Sequence, residues 1–344
     1  RMEYGSDVEY LKMAVESMEE WRAWNDLFKD TLYHETGYTV LSKKEMDFNS
    51  PAYEPTSYQN LLENGFKPER LDTGQISARF PAFQPGFYTD GFYHNIGGFA
   101  ESGRVLETLV RYARQLEIGV HQGQTAEEIV VENNRVHSVK TREGQTFTTG
   151  HAIVCAGNFT PYLLPELKPF MKITGHPVFH LQPSRPEYFM TPHFSVFAAD
   201  ISNTGWYGFP MHPREKVVKI ANHGVGLELH PEEDERVVYP EDEAHLRTFL
   251  EESLPILADD PVVYTRRCCY TDTLDGHFWL DRHPEIRELT VGSGGSGHGC
   301  NMGQVVGRIL ATLAEGGKHK WSERYQWRNL DAETIQREEA RNLK

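Results

Sequence analysis

The chain has 344 residues, more than the roughly 250–300 at which one hydrophobic core stops growing, so two domains, possibly interleaved, are expected. With 39% apolar and 25% charged residues it is composed like a globular protein, and no run approaches the ~18 consecutive apolar residues of a membrane span. Its 35 Lys and Arg against 50 Asp and Glu leave a formal charge of −15 with no basic cluster, which argues against nucleic acid as a partner. Four cysteines, two of them adjacent (Cys268 and Cys269), cannot build a disulfide framework, so a reducing, intracellular (cytoplasmic) home is expected. The first residues, RMEYGSDVEY, lack the apolar stretch of a signal peptide, and the closing ARNLK is not an SKL-type peroxisomal address.

Val8, Leu11, Val15, Met18 and Trp21 recur at helical spacing and predict an amphipathic helix. It starts almost at residue 1, which predicts further chain upstream. Residues 103–116 predict a second helix, with Leu106, Leu109, Val110, Ala113 and Leu116 on one face. Then come short β-branched runs: EEIVVE, a turn at Asn133 and Asn134, RVHSVKT, a turn at Glu143–Gly144, QTFTT and AIVCAG. Together they predict a meander of strands. Residues 165–270 mix strand-like runs (FSVFAAD, WYGFP, VVKIA) with one helix, DEAHLRTFLEESL, whose Leu246, Phe249 and Leu250 share a face. The acidic segment 231–243 reads as a solvated surface. ELTVGSGGSGHGCNMGQVVGRILATLAEG predicts a strand, a glycine-rich turn and a helix, and beyond Trp321 the polar tail predicts a frayed helix.

Gly292, Gly294 and Gly297 satisfy GxGxxG between a strand and a helix. A dinucleotide fingerprint should open a βαβ unit with an acidic residue about 20 positions on, and no second strand follows here. What survives is physical. Glycines let backbone approach a ligand closely, and a helix N-terminus turns N–H groups toward something electron-rich; tight strand–helix packing would use the same glycines. No HExxH or CxxC spacing points to a metal, and none is expected. Ser296 is no nucleophile elbow, because His298 stands where the second glycine should be.

RRCCYTDTLDGHFWLDRHPE followed by LTVGSGGSGHGCNMG resembles the C-terminal half of flavin-dependent amine oxidases of the monomeric sarcosine oxidase and fructosyl amino acid oxidase family. RMEYG, GGFAESGRVLETLVRYARQLEIGV, HAIVCAGNFTPYLL and WYGFP extend the resemblance over most of residues 1–320. It implies an α/β (mixed α+β) fold like that of D-amino acid oxidase, with an FAD-binding Rossmann-like domain (1–32, 95–165 and 270–344) interleaved with an antiparallel-sheet substrate domain (33–94 and 166–269). The cofactor implied is FAD, covalent through Cys268, because Asp275 stands seven residues on. Gly157 and the turn Gly294, Gly295, Ser296, Gly297, His298 and Gly299 are implied to face it. Tyr207 and Tyr270 fall on the family's pocket aromatics, His223 on its active-site histidine, and Arg1 on the arginine that pairs with the substrate carboxylate, a task suited to its two parallel donors. The partner implied is a small amino acid with a secondary amine.

The family's first strand, GxGxxG turn and acidic ribose-binding residue would precede Arg1 and are absent from these residues. Asn301 stands where the family commonly has the lysine credited with oxygen activation, which leaves oxidase against dehydrogenase open. The expected reaction is oxidation of a C–N bond to an imine that water hydrolyses. A non-catalytic flavoprotein remnant, and a dehydrogenase serving another acceptor, are the alternatives.

Overall fold

The computed structural model of the chain describes residues 1–331 and 339–341. The first expected helix is Val8–Phe28, opened by Asp7, whose carboxylate accepts from the Tyr10 amide at 3.0 Å and so satisfies one of the amides that a helix start leaves unpaired. Its Tyr10, Met13 and Ala14 pack with Val305, Ile309 and Leu310 of the last helix, Gly303–Ala314. The second expected helix is Ser102–Gln115, yet its inward side is Val105 and Thr108, while Leu106 and Leu116 are 64% and 55% exposed. Spacing located that helix; of the apolar stripe, Leu109 is half-buried against the core while Leu106 and Leu116 are exposed.

Ala126–Glu132, Arg135–Thr141 and Thr146–Thr148 form the meander as a three-stranded antiparallel sheet. Its first turn works because Asn133 and Asn134 adopt φ of 50° and 58°, the left-handed pair that a two-residue hairpin turn requires and Asn tolerates. The fourth run departs from the expectation. Ala152–Val154 leaves the meander and pairs in parallel with Leu289–Ser293, which itself pairs antiparallel with Trp279–Arg282.

The largest sheet has nine strands. In order they are Leu227–Glu228, Met171–Leu181, Val218–Asn222, Trp206–Phe209, Val196–Ala199, Tyr38–Ser42, Asp90–His94 and Glu69–Asp72, with Val262–Thr273 paired antiparallel along Met171–Leu181. The three runs read from sequence as strands are central neighbours in it. Helix Pro240–Ser253 lays Leu246, Phe249 and Leu250 against one face, where Phe179, Phe197, Trp206, Val218 and Ile220 are buried. Each such side chain contributes roughly 1.5–3 kcal/mol on burial. The acidic segment is mostly exposed, but Asp242 is an exception: it pairs with the buried guanidinium of Arg267.

Gly292 lies within the strand Leu289–Ser293, and the last helix begins only at Gly303, so the glycine turn occupies 294–302 and does not run straight into the helix. Past Trp321 the described residues hold one short 3₁₀ turn, Ser322–Tyr325. The expected tail helix does not form over 326–331, which are irregular, and its remainder on 332–338 and 342–344 lies outside the described residues. Among the described residues no helix is long and apolar enough to cross a membrane.

Candidate active site

Side chains alternate across a strand, so register decides which residues meet. On Val262–Thr273, Cys268 lies opposite His176 and Tyr270 opposite Thr174 of Met171–Leu181. Val178 lies opposite Ala221, and Ala221 opposite Tyr207. These pairings put Cys268, Tyr270, His176 and Tyr207 on one face, with His223 just past the end of Val218–Asn222. The rings follow: His176 stacks on Tyr270 with centroids 4.1 Å apart, and His223 stands 5.9 Å from Tyr270 and 6.2 Å from His176. Cys269 belongs to the opposite face with Arg267, whose side chain crowds the space beside Gly175. Adjacent in sequence, the two thiols therefore look into different surroundings.

Two of these rings, Tyr270 and His176, are held neutral by their surroundings. Burial, then the neighbouring Tyr207, push the Tyr270 phenol well above its ordinary value. Burial, then the charges of Arg341, His223 and Arg267, hold His176 down at about 2. Near neutral pH both act as uncharged hydrogen-bonding groups.

The glycine turn rests on the end of the same strand. The Ser296 amide donates to the Thr271 carbonyl at 3.1 Å, and a Cβ on Gly297 would stand 2.9 Å from the Tyr270 ring. Gly294 and Gly297 have φ of 71° and 89°, and Ser296 also has a positive φ, 40°; here glycine is required by the backbone and by the close approach to Tyr270. Gly157 begins a 3₁₀ turn whose Asn158 accepts from Thr271 Oγ1 at 2.9 Å, so it too is tied to this strand. His298 turns the other way, edge-on to Tyr4 at 5.7 Å and 5.6 Å from Tyr10. Asp275, the seventh residue after Cys268, takes two hydrogen bonds from Arg328, at 2.7 and 2.9 Å. Burial pushes its carboxyl up, but Arg328 outweighs that and leaves it below its ordinary value.

Arg1 and Asn301 form a second group. Arg1 Nη1 donates to the Glu3 carbonyl at 2.8 Å and to Tyr53 Oη at 3.0 Å, and its guanidinium lies 4.6 Å from the Tyr4 ring centroid. Asn301 Nδ2 donates to Tyr4 Oη at 3.1 Å, while the Asn301 backbone carbonyl accepts from Trp21 Nε1 at 3.2 Å. Residue 301 thus stands beside Tyr4 and Arg1. Tyr207, His223 and Tyr270 are brought together on the sheet face; the glycine turn is the link between the two groups.

Sequence reading missed His176, Thr174, Asp272 and Lys219. His176 and Thr174 face Cys268 and Tyr270 across the ladder, and Asp272 follows Tyr270 by two residues, a spacing that was legible once a strand was assigned there. Lys219 shares a face with Ala221 and His223, its Nζ 4.6 Å from the Phe209 ring centroid, so an ammonium stands on the site's face of the sheet.

These residues suit a flavin at its ring end. A half-buried thiol and stacked neutral rings line one side, a turn of side-chain-free backbone lies beside them, and Ser293 Oγ at the start of that turn is buried with no partner among the described residues. A mostly antiparallel sheet, its one parallel pairing among the described residues joining Val196–Ala199 to Tyr38–Ser42, presents a polar aromatic face to a strand and glycine turn, an arrangement suited to holding an extended cofactor over a substrate. The chain belongs to the FAD dependent oxidoreductase family, whose pattern matches residues 2–313. It is 28% identical to a monomeric sarcosine oxidase of Bacillus sp. (strain NS-129), over 92% of this chain and 81% of that one. The L-saccharopine oxidase of Schizosaccharomyces pombe is 26% identical over 96% of this chain and 82% of its own. In fold, the L-proline dehydrogenase of P. horikoshii matches with a TM-score of 0.81 at 17% identity, covering 95% of this chain and 84% of that one. The protein is an FAD-dependent oxidoreductase with a D-amino acid oxidase-like mixed α/β fold.

Proposed function

We propose that the protein oxidises the C–N bond of an N-substituted amino acid. The single observation that carries this reading is the cluster of His176, His223 and Tyr270 rings, of which Tyr270 lies directly against the glycine turn. A hydride equivalent leaves the carbon beside nitrogen, the nitrogen lone pair forms the C=N bond, and water hydrolyses the resulting imine. When bound, FAD supplies the two-electron acceptor for that hydride equivalent. The chain positions and polarises: Tyr207, Tyr270 and His223 shape an aromatic, hydrogen-bonding slot for an amine that enters uncharged, and Arg1 with Tyr4 holds the carboxylate end. In this reading Cys268, the thiol on the site face, tethers the flavin, residues 1–32, 95–165 and 270–344 serve the cofactor, and 33–94 and 166–269 serve the substrate.

The names of the relatives, sarcosine and saccharopine oxidases, support an N-alkylated amino acid as the substrate class. The test is anaerobic mixing of the FAD-loaded protein with sarcosine, N-methyl-L-tryptophan and L-saccharopine while the visible flavin band is followed. Bleaching by at least one, with release of the matching carbonyl product, is expected. A yellow protein that none of them bleaches, but that a substrate without nitrogen does, would overturn the reading. Comparing turnover with oxygen and with a dye then separates oxidase from dehydrogenase.

A further inference from the structure

Two residues beyond Tyr270, the same face carries a buried negative charge for which amine oxidation has no use. Asp272 is 8% exposed. Its Oδ2 accepts from the Thr174 hydroxyl and, at 2.8 Å, from Arg341 Nη2, and its Oδ1 has no partner among the described residues. A carboxylate taken out of water without a cation is costly by several kcal/mol, so this position demands a positive group.

The group there is a guanidinium. Arg341 Nη2 also lies 3.0 Å from His176 Nε2 and 3.3 Å from Thr174 Oγ1, while Nε donates to the Gly224 carbonyl at 3.0 Å. The guanidinium carbon is 6.0 Å from the Tyr270 ring centroid, at the outer limit of a cation–π contact. A carboxylate, a hydroxyl, a neutral imidazole nitrogen, a carbonyl and an aromatic ring thus converge on one planar cation, and two of these residues, His176 and Tyr270, also line the site. The segment that brings it is anchored beside the other group: Ala340 is fully buried in the cluster of Met2, Tyr53 and Leu61, and the Ser6 amide donates to Glu339 at 3.1 Å.

We propose that Asp272, Thr174 and His176 form a cation subsite of the active site, that the substrate is an N-substituted amino acid carrying a guanidinium-type cation, and that Arg341 occupies the subsite until such a substrate displaces it. The substrate class rests on the amine-oxidation reading; the subsite itself does not.

Calorimetric binding of L-arginine and of L-norleucine to the FAD-loaded full chain, without oxygen, tests it with a readout separate from turnover. Arginine is expected to bind about tenfold or more tightly than norleucine once Arg341→Gln removes the resident cation. Asp272→Asn should erase the difference, and if that variant misfolds by circular dichroism, Thr174→Val should reduce it instead. Equal binding of the two amino acids to the Arg341→Gln protein would overturn the subsite, even if N-methyl amino acids bleach the flavin. A preference for arginine that depends on Asp272, in a protein that no amine bleaches, would sustain the subsite and remove the amine-oxidation reading.

Discussion

The two faces of the nine-stranded sheet are made by the same strands and differ in character where Met171–Leu181, Val262–Thr273 and Trp206–Phe209 run, although the site's face is itself core farther along, at Val40, Phe92, Val196 and Ala198. One is closed by Phe179, Phe197, Trp206, Val218 and Ile220 under helix Pro240–Ser253. The other presents His176, Tyr207, Tyr270 and Asp272, and it meets Arg1 and Tyr4 through the glycine turn. Alternation along each strand separates the two, so a shift of one residue in register would exchange core for chemistry. The adjacent cysteines show how sharp the division is.

The largest expected effect is all or none and falls on those cysteines. Cys268 shares the site face, whereas Cys269 sits with Arg267, where burial pushes its thiol up. Denaturing the FAD-loaded protein in acid should leave yellow colour on the precipitate of wild type and Cys269→Ser, and release all of it from Cys268→Ser. Colour retained by Cys268→Ser but lost from Cys269→Ser would reverse the assignment of the faces.

Next in size is a contrast in stability. Phe197 is 1% exposed and packs edge-on against Phe83 and Phe194, with centroids 5.2 and 5.4 Å away. Phe197→Ala should cost about 3–5 kcal/mol in a denaturant titration, whereas Tyr207→Phe, on the site face of the neighbouring strand, should stay within about 1 kcal/mol. Similar losses for both would mean that the Tyr207 hydroxyl braces the fold.

How far sequence reached can be judged from such positions. FSVFAAD, WYGFP and VVKIA were legible as strands because β-branched and aromatic runs fit a pleated, buried surface. The Cys268 to Gly299 block was legible because its residue types and spacing are uncommon. The inward side of Ser102–Gln115 was not: the helix buries Val105 and Thr108 and leaves Leu106 out, and periodicity reports an apolar stripe without naming what lies against it. Nor were His176 and Asp272, whose meeting with Tyr270 depends on a pairing between segments about a hundred residues apart. No local pattern encodes that register.

A smaller effect tests the group opposite the sheet. If Arg1 holds the substrate carboxylate, a charged hydrogen-bonded pair contributes roughly 1.5–3 kcal/mol, and Arg1→Met should raise KM about tenfold to a hundredfold for amino acids while sparing amines without a carboxylate. Arg1 also bonds the Glu3 carbonyl and Tyr53, so an equal loss for both substrate kinds would identify it as a brace for the Arg1–Gly5 segment.

The smallest effect is one of pH, and it separates the faces by charge. His176 is held at about 2 by burial first and then by Arg341, His223 and Arg267, against an ordinary value of about 6.5. Between those values the unfolded chain binds a proton that the folded chain refuses, so folding stability falls as pH drops below about 6.5, by up to about 1.4 kcal/mol per pH unit from this one group. A substitution that cannot titrate removes the linkage: His176→Gln should lose about 1 kcal/mol less than wild type in denaturant midpoints compared at pH 6.5 and 5.5. The absolute stability of His176→Gln will be lower at both pH values, because the ring stacked on Tyr270 is gone, and only the difference between the two pH values carries the argument. An identical pH slope in both proteins would mean that His176 already takes up its proton in the native state, against the burial and the Arg341 charge that hold it neutral.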